Sequence, residues 1–419
     1  MRFLYICIAY LISPFWIGAL ALRGFRDRIH WRGFSQRFGF GAKVSARCIW
    51  VHAVSVGEVQ AAVPLIEALL KRFSSIPLVL TTVTPTGRAR AEAQFGKRID
   101  VRYVPIDLPG SVWRFFQRVQ PQLAIILETE IWPNLYHRCG RLGVPLVLAS
   151  ARISPRSVTS YRRLVGLFRE TLSHGIFIAA QSAEDAERFV SIGANPARTH
   201  VVGNIKFDFG YPPDMEARGH ELRGLLGVHR PVWVAGSTHA KEEELLLDAH
   251  ALIRQRFSNA LLVLVPRHPP RFAEVVALLR DRSMPFVTRT SKNGVTSETQ
   301  VFLLDTLGEL PAFYAAGDVA FVGGSLVPIG GHNLLEPAAL SLPIVAGPHN
   351  FNSADIARML IERGAVRIVH DAAQLSAVVG DLLTNPATRT VMGASGRKAV
   401  DDNRGAVARL MQFLEPLLP

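Results

Sequence analysis

The chain has 419 residues, of which 49% are hydrophobic and 19% charged, and its formal net charge is +13. This composition excludes a disordered chain, and the length suits two domains of roughly 180 to 200 residues better than one core. The positive charge predicts an anionic partner, either nucleic acid or an anionic lipid surface. The three cysteines, Cys7, Cys48 and Cys139, lie far apart and have neither a disulfide pattern nor metal-ligand spacing.

The first predicted element is an apolar helix at the N-terminus. Phe3 to Leu22 carries no charge, and as a helix it measures about 30 Å, close to the hydrocarbon thickness of a bilayer. We therefore predict a membrane anchor over residues 1–22. Pro14 and Trp16 leave open a tilted helix lying partly in the membrane interface. A cleaved secretory signal is the alternative, because Ala19–Ala21 has the small-residue pattern of a cleavage site.

Basic residues follow this apolar segment directly. They are Arg23, Arg26, Arg28, Arg32, Arg37, Lys43 and Arg47, with Asp27 as the one acid among them. Such a cluster opposes export and predicts that the rest of the chain stays on the cytoplasmic side. Because the cluster adjoins a membrane segment and is not interleaved with stacking aromatic residues, we expect an anionic membrane surface and no nucleic acid as partner.

Apolar runs alternate with amphipathic helical segments along the rest of the chain, which predicts parallel sheets covered by helices. In the first half the predicted strands are Cys48–Val54, Pro77–Thr82, Arg102–Val104, Leu123–Leu127, Pro145–Ala149, Ile176–Ala180 and Thr199–Val202. In the second half they are Val232–Ala235, Ala260–Val265, Phe286–Thr288, Val301–Leu304, Val319–Val322, Leu342–Val345 and Val366–Ile368.

A turn-rich stretch beginning at Asp208 separates the two halves. The predicted domains are therefore residues 23–208 and 209–419, with the last helix free to return to the first domain. We expect an α/β fold of two Rossmann-like parallel-sheet domains facing a cleft, with ligands at the carboxyl ends of the strands.

Several common motifs are missing from the sequence. Gly39 and Gly41 lack the third glycine of G-x-G-x-x-G and follow no clear strand, and no G-x-x-x-x-G-K-[ST] occurs. Dinucleotide oxidoreductases and nucleoside triphosphatases are therefore disfavoured. No Asp-x-Asp occurs either, although a metal-dependent sugar transferase would usually display one. We therefore expect chemistry without a metal or another cofactor.

Glu58 is the first candidate residue for chemistry, because it follows the strand that begins at Cys48. The adjacent Gly57 permits close approach of a ligand, and a carboxylate at a strand end can act as general base. The structural alternative is a helix capping box, since Ser55 and Glu58 have its spacing.

Two further acids, Glu128 and Glu130, follow a buried strand. They cannot both be deeply buried and ionised without a partner, and Lys206 is a suitable cation. The alternative is that both are ordinary surface acids.

In the second half, Pro266 and Arg267 follow a strand, which places a guanidinium near a phosphate or a base edge. An interdomain salt bridge is the alternative for Arg267. Leu307 to Glu309 begin a helix whose amides suit a cytosine or a phosphate. Gly236 to His239 supply hydroxyls and amides for an anion, and the acids at Glu242–Glu244 indicate a helix start rather than a zinc site.

The segment from Phe321 to Asn352 predicts a βαβ unit with a glycine-rich turn before a helix that begins near Leu334. Amides at a helix N-terminus attract phosphate, and Glu336 is placed to accept both hydroxyls of a ribose. The segment therefore predicts a nucleotide-sugar site. Asn333 and Glu336 also have the spacing of a capping pair, which leaves a purely structural role open.

Together these segments resemble the Kdo (3-deoxy-D-manno-octulosonic acid) transferase family of lipopolysaccharide assembly. The motifs that carry the resemblance are, in chain order, HAVSVGEVQA, TPTGR, ETEIWPN, ARIS, GNIKFD, AGSTH, PRHPPRF, GEL and GGSLVPIGGHNLLEP. The chain departs from the family at Pro270, where P-R-H-P-E-R-F has a glutamate. The resemblance implies a GT-B architecture, with the acceptor in the N-terminal half and the donor in the C-terminal half.

The same resemblance implies a reaction: inverting transfer of Kdo from CMP-Kdo to a lipid A precursor, lipid IVA, at the inner membrane and without a metal. Glu58 matches the general base of the family, and Glu128 and Lys206 match positions that support the transition state. The positions that match contacts to the donor nucleotide are Pro266, Arg267, Leu307, Gly308, Glu309, Asn333, Leu334, Leu335 and Glu336. Two alternatives stay open: a GT-B relative acting on a UDP-sugar, as a transferase or a 2-epimerase, and a non-catalytic membrane-tethered glycolipid-binding protein.

Overall fold

The structure is a computed structural model that describes residues 1–163, 165–173, 175–291 and 293–418. The chain divides into two compact units. The first unit contains Met1–Phe209 together with the residues from Asn403 onward, and the second contains Gly210–Asp402. The chain therefore leaves the first unit once and returns to it at the C-terminal end.

The N-terminal segment forms one helix, α1 (Arg2–Arg26), with Pro14 inside it. Its stretch Arg2–Phe25 is long and apolar enough to cross a membrane by length and composition. Two short 3₁₀ turns, Arg28–Trp31 and Phe34–Phe38, follow the helix and lead to the first strand.

The first unit is built on a seven-stranded parallel sheet with the order β3-β2-β1-β4-β5-β6-β7. Its strands are β1 (Cys48–His52), β2 (Leu78–Thr82), β3 (Asp100–Tyr103), β4 (Pro121–Leu127), β5 (Leu146–Ala151), β6 (Phe177–Ala180) and β7 (Thr199–Val201). Its further helices are α2 (Val56–Arg72), α3 (Pro85–Phe95), α4 (Pro109–Val119), α5 (Pro133–Leu142), α6 (Pro155–Arg163), α7 (Val165–Leu172), α8 (Ala183–Ser191) and α17 (Ala406–Leu414). Because helices cover both faces, central strands such as β1 are buried at every residue.

The second unit is built on another seven-stranded parallel sheet, with the order β10-β11-β9-β8-β12-β13-β14. Its strands are β8 (Val232–Thr238), β9 (Leu261–Pro266), β10 (Phe286–Thr288), β11 (Val301–Leu303), β12 (Val319–Val322), β13 (Ile344–Ala346) and β14 (Val366–Ile368). Its helices are α9 (Met215–Leu226), α10 (Glu242–Arg256), α11 (Arg271–Asp281), α12 (Leu310–Ala316), α13 (Leu335–Ala339), α14 (Ala354–Glu362), α15 (Ala372–Thr384) and α16 (Pro386–Asp402).

The predicted fold class, two Rossmann-like parallel sheets covered by helices, is confirmed. Each of the fourteen predicted strands is present, with shifts at the ends: β8, for example, runs on to Thr238. At the centre of each sheet the chain order reverses, between β1 and β4 in the first unit and between β8 and β12 in the second. Ligands of such sheets bind at the carboxyl ends of the strands beside this reversal.

Candidate active site

The reversal point of the first sheet brings two of the predicted catalytic residues to one place. Strands β1 and β4 are hydrogen-bonded neighbours with His52 opposite Ile126. Glu58 lies in the first turn of α2, just beyond β1, and Glu128 follows β4 directly. Both carboxylates therefore lie at the carboxyl edge of the sheet. They are close enough for the charge of Glu128 to raise the pKa of Glu58.

Glu58 is held at the edge by one backbone contact. Its Oε2 accepts the amide N–H of Val54 at 2.8 Å, and its Oε1 lies 3.5 Å from the hydroxyl of Ser55. Ser55 makes no side-chain hydrogen bond to the helix start, so the reciprocal half of a capping box is missing. A Cβ added to Gly57 would meet no atom closer than 3.9 Å, which leaves open space beside the carboxylate.

Burial raises the pKa of the Glu58 carboxyl to about 7. The Val54 amide opposes this rise, the neighbouring charges of Glu128 and Glu130 add to it, and the Lys206 ammonium again lowers the pKa. A carboxyl group with a pKa near neutrality is well matched to accept a proton during turnover.

Lys206 and Glu128 form an ion pair with 2.6 Å between Nζ and Oε1, each side chain being about a quarter exposed. The predicted partnership of these residues is therefore present. Glu130 takes another partner, because its Oε2 accepts the indole N–H of Trp132 at 2.7 Å. Burial raises the pKa of the Glu130 carboxyl, although this hydrogen bond opposes the rise.

Glu128 has an unusual backbone conformation, with φ at +57°. A side chain in the left-handed region is strained, and such strain concentrates at functional sites. The amide of Glu128 donates to the carbonyl of Ala149 at 3.0 Å, so the neighbouring strand β5 supports the turn.

The donor-site residues predicted in the second unit lie along the carboxyl edge of its sheet. Leu307 to Glu309 follow β11, Arg267 follows β9, and Asn333 to Glu336 follow β12. The strand order places β8 between β9 and β12. These residues therefore share an edge with the sheet's reversal point.

Arg267 and Glu336 are close enough for their charges to interact. Burial raises the pKa of the Glu336 carboxyl, while Asn333 and Arg267 lower it. Asn333 donates to Glu336 at 3.2 Å, and its oxygen accepts the amide of Leu335 at 3.1 Å. The contacts of Asn333 are those of a capping pair, so the structural role that the sequence left open is present. The charged pair of Arg267 and Glu336 lies beside it.

The glycine-rich turn before α13 differs from the expectation of a phosphate-binding helix start. The amides of Gly330 and Gly331 donate to the carbonyl of Gly324, and the amide of His332 donates to that of Gly323. These three amides are bonded within the protein rather than presented to a ligand. Helix α13 itself has only 5 residues, so its dipole is short.

The segment Leu307 to Glu309 is held by hydrogen bonds that do not involve Arg267. The carboxylate of Glu309 accepts the guanidinium of Arg289 at 2.8 Å and also the hydroxyl of Thr306. The hydrogen bond from Arg289 lowers the pKa of the Glu309 carboxyl. Leu307 is 65% exposed, and a Cβ added to Gly308 would meet nothing within 4 Å. This corner is therefore open to a ligand.

Sequence reasoning did not foresee that three histidines cluster around Arg267. The Nε2 atoms of His239 and His332 are 2.7 Å apart with stacked rings, and the ring of His268 lies 5.4 Å from that of His239. Burial, together with neighbouring positive charges, lowers the pKa of His332 to about 3. Burial and nearby positive charges also lower the pKa of His239, so both rings are neutral at pH 7. Among the described residues, no group of three or more His, Cys, Asp or Glu side chains is arranged to hold a metal ion.

Glu242, which the sequence placed at a helix start, has a further role that sequence reasoning did not find. Its buried carboxylate accepts four backbone amides, from His239, Gly324, Ser325 and Leu326, at 2.8–3.3 Å. It thereby ties the loop after β8 to the turn after β12. The spacing of Glu242 to Leu246, Ala249 and Ile253 on the buried face of α10 was the signal available in the sequence.

We expect Glu242→Ala to lower the free energy of unfolding by about 3 kcal/mol or more, because four buried amides lose their acceptor. Urea unfolding of the full-length protein measures the loss. Asp248→Ala is the matched control, since Asp248 lies on the same helix in an exposed ion pair with Arg282. Equal stability of the two variants would contradict the role assigned to Glu242.

Comparison with known proteins agrees with this architecture. The family model described as 3-deoxy-D-manno-octulosonic-acid transferase (kdotransferase) matches residues 32–209. A 3-deoxy-D-manno-octulosonic acid transferase of Haemophilus influenzae is 38% identical over 100% of this chain and 99% of the relative. A protein of the same name from Bordetella pertussis is 39% identical over 93% of this chain and 92% of the relative.

The solved structure of UDP-GlcNAc 2-epimerase from Neisseria meningitidis bound to UDP-GlcNAc has a TM-score of 0.58 at 12% identity, covering 88% of this chain and 100% of that chain. This likeness shows the fold alone. The two doubly wound units define a GT-B-like fold. By its sequence relatives, the chain belongs to the 3-deoxy-D-manno-octulosonic acid transferase family and is a glycosyltransferase that transfers Kdo.

Proposed function

We propose that the protein transfers Kdo from CMP-Kdo to a hydroxyl of a lipid A precursor, lipid IVA, with inversion at the anomeric carbon. The observation that carries this proposal is Glu58, a carboxylate at the reversal point of the first sheet with its pKa raised to about 7. The first unit receives the acceptor and the second holds the donor. The reaction takes place on the cytoplasmic face of the inner membrane, to which α1 and the basic residues after it attach the protein.

In the proposed mechanism, Glu58 takes the proton from the acceptor hydroxyl as its oxygen attacks the anomeric carbon of Kdo. The bond from that carbon to the phosphate oxygen breaks, and CMP leaves with the bonding electrons. The phosphate needs little protonation, so one carboxylate suffices where a glycosidase uses two. A single displacement inverts the anomeric configuration.

Glu128 and Lys206 support this step. The Lys206 ammonium pairs with Glu128, and it opposes the rise in the pKa of Glu58. The ion pair between Lys206 and Glu128 has 2.6 Å between Nζ and Oε1. We assign to Lys206 the stabilisation of negative charge in the transition state.

The donor nucleotide is proposed to occupy the carboxyl edge of the second sheet. Arg267, fixed after Pro266, pairs with the phosphate, and Glu336 with Asn333 accepts the ribose hydroxyls. Leu334 and Leu335 are buried beneath them and hold the segment in place. The open corner at Leu307, Gly308 and Glu309 receives the cytosine.

The wild-type protein is expected to show a pH profile set by Glu58. The proton acceptor must be ionised, so kcat/KM should fall about tenfold per pH unit below the pKa of about 7 and level off above it. Initial rates between pH 5 and 9 in a purified assay test this. A rate independent of pH across that range would contradict the assignment of Glu58 as base.

Glu336→Ala is expected to weaken CMP binding about 10- to 100-fold through loss of a charge-assisted hydrogen bond. Isothermal titration with CMP measures the dissociation constant. Glu362→Ala, which removes an exposed carboxylate from the same unit, is the matched control. An unchanged constant in the Glu336→Ala variant would rule out the ribose contact.

The experiment that tests the whole proposal is a transfer assay with purified full-length protein, lipid acceptor and either CMP-Kdo or a UDP-sugar. We expect product from CMP-Kdo alone, and NMR of the new linkage should show the anomeric configuration opposite to that of the donor. Product from a UDP-sugar, or retention of configuration, would overturn it.

A further inference from the structure

Helix α1 has two faces that differ in exposure. Its buried and half-buried residues recur every three or four positions on one face: Arg2, Tyr5, Ile6, Ala9, Ser13, Ile17, Leu20, Ala21 and Gly24. This is the repeat of a single face of an α-helix. One face therefore packs against the protein, and the other faces outward.

The outward face of α1 is apolar. Its exposed large side chains are Phe3, Leu4, Ile8, Tyr10, Leu11, Ile12, Phe15, Trp16, Leu22 and Phe25. Phe3, Phe15 and Phe25 are between 78% and 80% exposed. A continuous apolar strip of this length indicates a surface that another apolar phase covers.

The N-terminal end of α1 is tied to polar groups of the first unit. The Tyr5 hydroxyl donates to Asp107 at 2.9 Å, and Arg2 Nε donates to the side chain of Asn134 at 3.3 Å. Asp107 is 4% exposed and also accepts the amides of Asn134 and Leu135 at 3.0 and 2.8 Å. The start of α1 is thus attached to the start of α5.

The C-terminal half of α1 is attached to the same unit. The guanidinium of Arg37, only 3% exposed, lies 6.0 Å from the ring of Trp16 and 4.0 Å from that of Tyr103. Farther along, the ring of Trp31 lies against Gly24, where an added Cβ would be 2.5 Å from it. Contacts therefore hold both ends of the helix.

These contacts are incompatible with a helix that crosses the bilayer. Arg2 and Gly24 are about 33 Å apart along a helix, which exceeds a hydrocarbon core of about 30 Å. A crossing helix would carry Arg2 and Tyr5 to the far side, away from Asp107 and Asn134. We propose that α1 lies in the plane of the membrane surface, with its outward face inserted at the acyl boundary of an anionic bilayer.

The charges around α1 fit this bilayer. Arg23, Arg28 and Arg32 are exposed at its C-terminal end. At its N-terminal end, a cavity of about 180 Å³ is lined by Arg2, Trp113, Arg138 and Arg141, among others. An in-plane helix places both basic groups on one leaflet, where they meet lipid phosphates.

This arrangement, which rests on the proposed membrane location, has a consequence for the acceptor. Helix α5, to which the start of α1 is tied, begins three residues after Glu130. The helix therefore docks next to the loop that carries Glu128. In the proposed arrangement the headgroup layer lies beside this loop, and the lipid acceptor is expected to bind there.

Spin-label depth measurements test the proposal on the full-length protein in phosphatidylethanolamine and phosphatidylglycerol vesicles. Cys7 is replaced by serine, while Cys48 and Cys139 are buried and stay. Single labels at Leu4, Leu11, Phe15 and Leu22 are expected at one shallow depth of about 5–10 Å. A depth that reaches the bilayer centre near Leu11 and falls toward both ends would overturn the in-plane helix.

Tyr5→Phe tests the contact at the N-terminal end. It removes the hydroxyl that Asp107 accepts, so a label at Leu4 should become more mobile while one at Leu22 does not. Tyr10→Phe is the matched control, since Tyr10 is 50% exposed on the same helix. Equal label mobility in the two variants would overturn the docked N-terminal end.

Kdo transfer is measured on the same vesicles, so that the two proposals fail separately. Transfer with a membrane-crossing depth profile would overturn the in-plane helix and leave the proposed function standing. A shallow profile without transfer would overturn the function and support the helix.

Discussion

Glu58→Gln should reduce kcat for Kdo transfer by about a thousandfold, because proton abstraction by a positioned base contributes between about 10²- and 10⁴-fold. Glutamine has nearly the same shape, and its oxygen still accepts the amide of Val54 as Glu58 does at 2.8 Å. The fold and donor binding should therefore be retained. Single-turnover rates and CMP titrations on the purified variant separate the two effects.

Two further variants sharpen this test. Glu130→Gln removes the same charge from the same cluster, but Glu130 is bonded to Trp132, and we expect a much smaller loss of rate. In a Glu58→Ala variant, added formate should restore part of the rate, because it supplies a carboxylate to the vacated space. Undiminished turnover of Glu58→Gln would exclude Glu58 as base.

Lys206→Met should lower kcat by about 100-fold, the usual cost of removing one preorganised charge from a transition state. The change also removes the cation that lowers the pKa of Glu58. Without this cation, the pKa of Glu58 should rise above its present value of about 7. The acid limb of the kcat/KM profile should therefore move to higher pH, which a merely structural role of Lys206 does not predict.

Lys71→Met is the matched control for this prediction. Lys71 is exposed in the last turn of α2, the helix that carries Glu58 in its first turn. The control should keep the wild-type rate and pH profile. An unmoved acid limb in Lys206→Met would show that Lys206 does not act on Glu58.

The sequence was most informative about the strands. Central parallel strands are buried on both faces, so runs such as Leu123–Leu127 are apolar throughout and are recognised without partners. The order of strands within each sheet cannot be recognised in this way, since it depends on packing between distant segments. That order sets Glu58 and Glu128 side by side, and periodicity alone does not contain it.

The sequence predicted the acidic and basic residues of the site but not the residues that hold the loops of the site in place. Glu128 and Lys206 were paired by the need to balance buried charge, and the structure contains that pair. Glu242 was interpreted as part of a helix start, because an acid in the first turn usually complements the helix dipole. Its bonds to Gly324, Ser325 and Leu326 link segments more than 80 positions apart, and local patterns do not show them.

Helix α17 has a consequence for how the protein is made. Leu410 and Leu414 belong to the apolar core beneath the first sheet, together with Leu65 and Leu69 of α2. On the ribosome, α2 emerges long before α17, so this part of the core stays uncovered until α17 has emerged. The second unit, whose residues are contiguous, can acquire its native packing earlier. Nascent chains that stall before residue 406 should therefore be prone to capture by chaperones through the first unit.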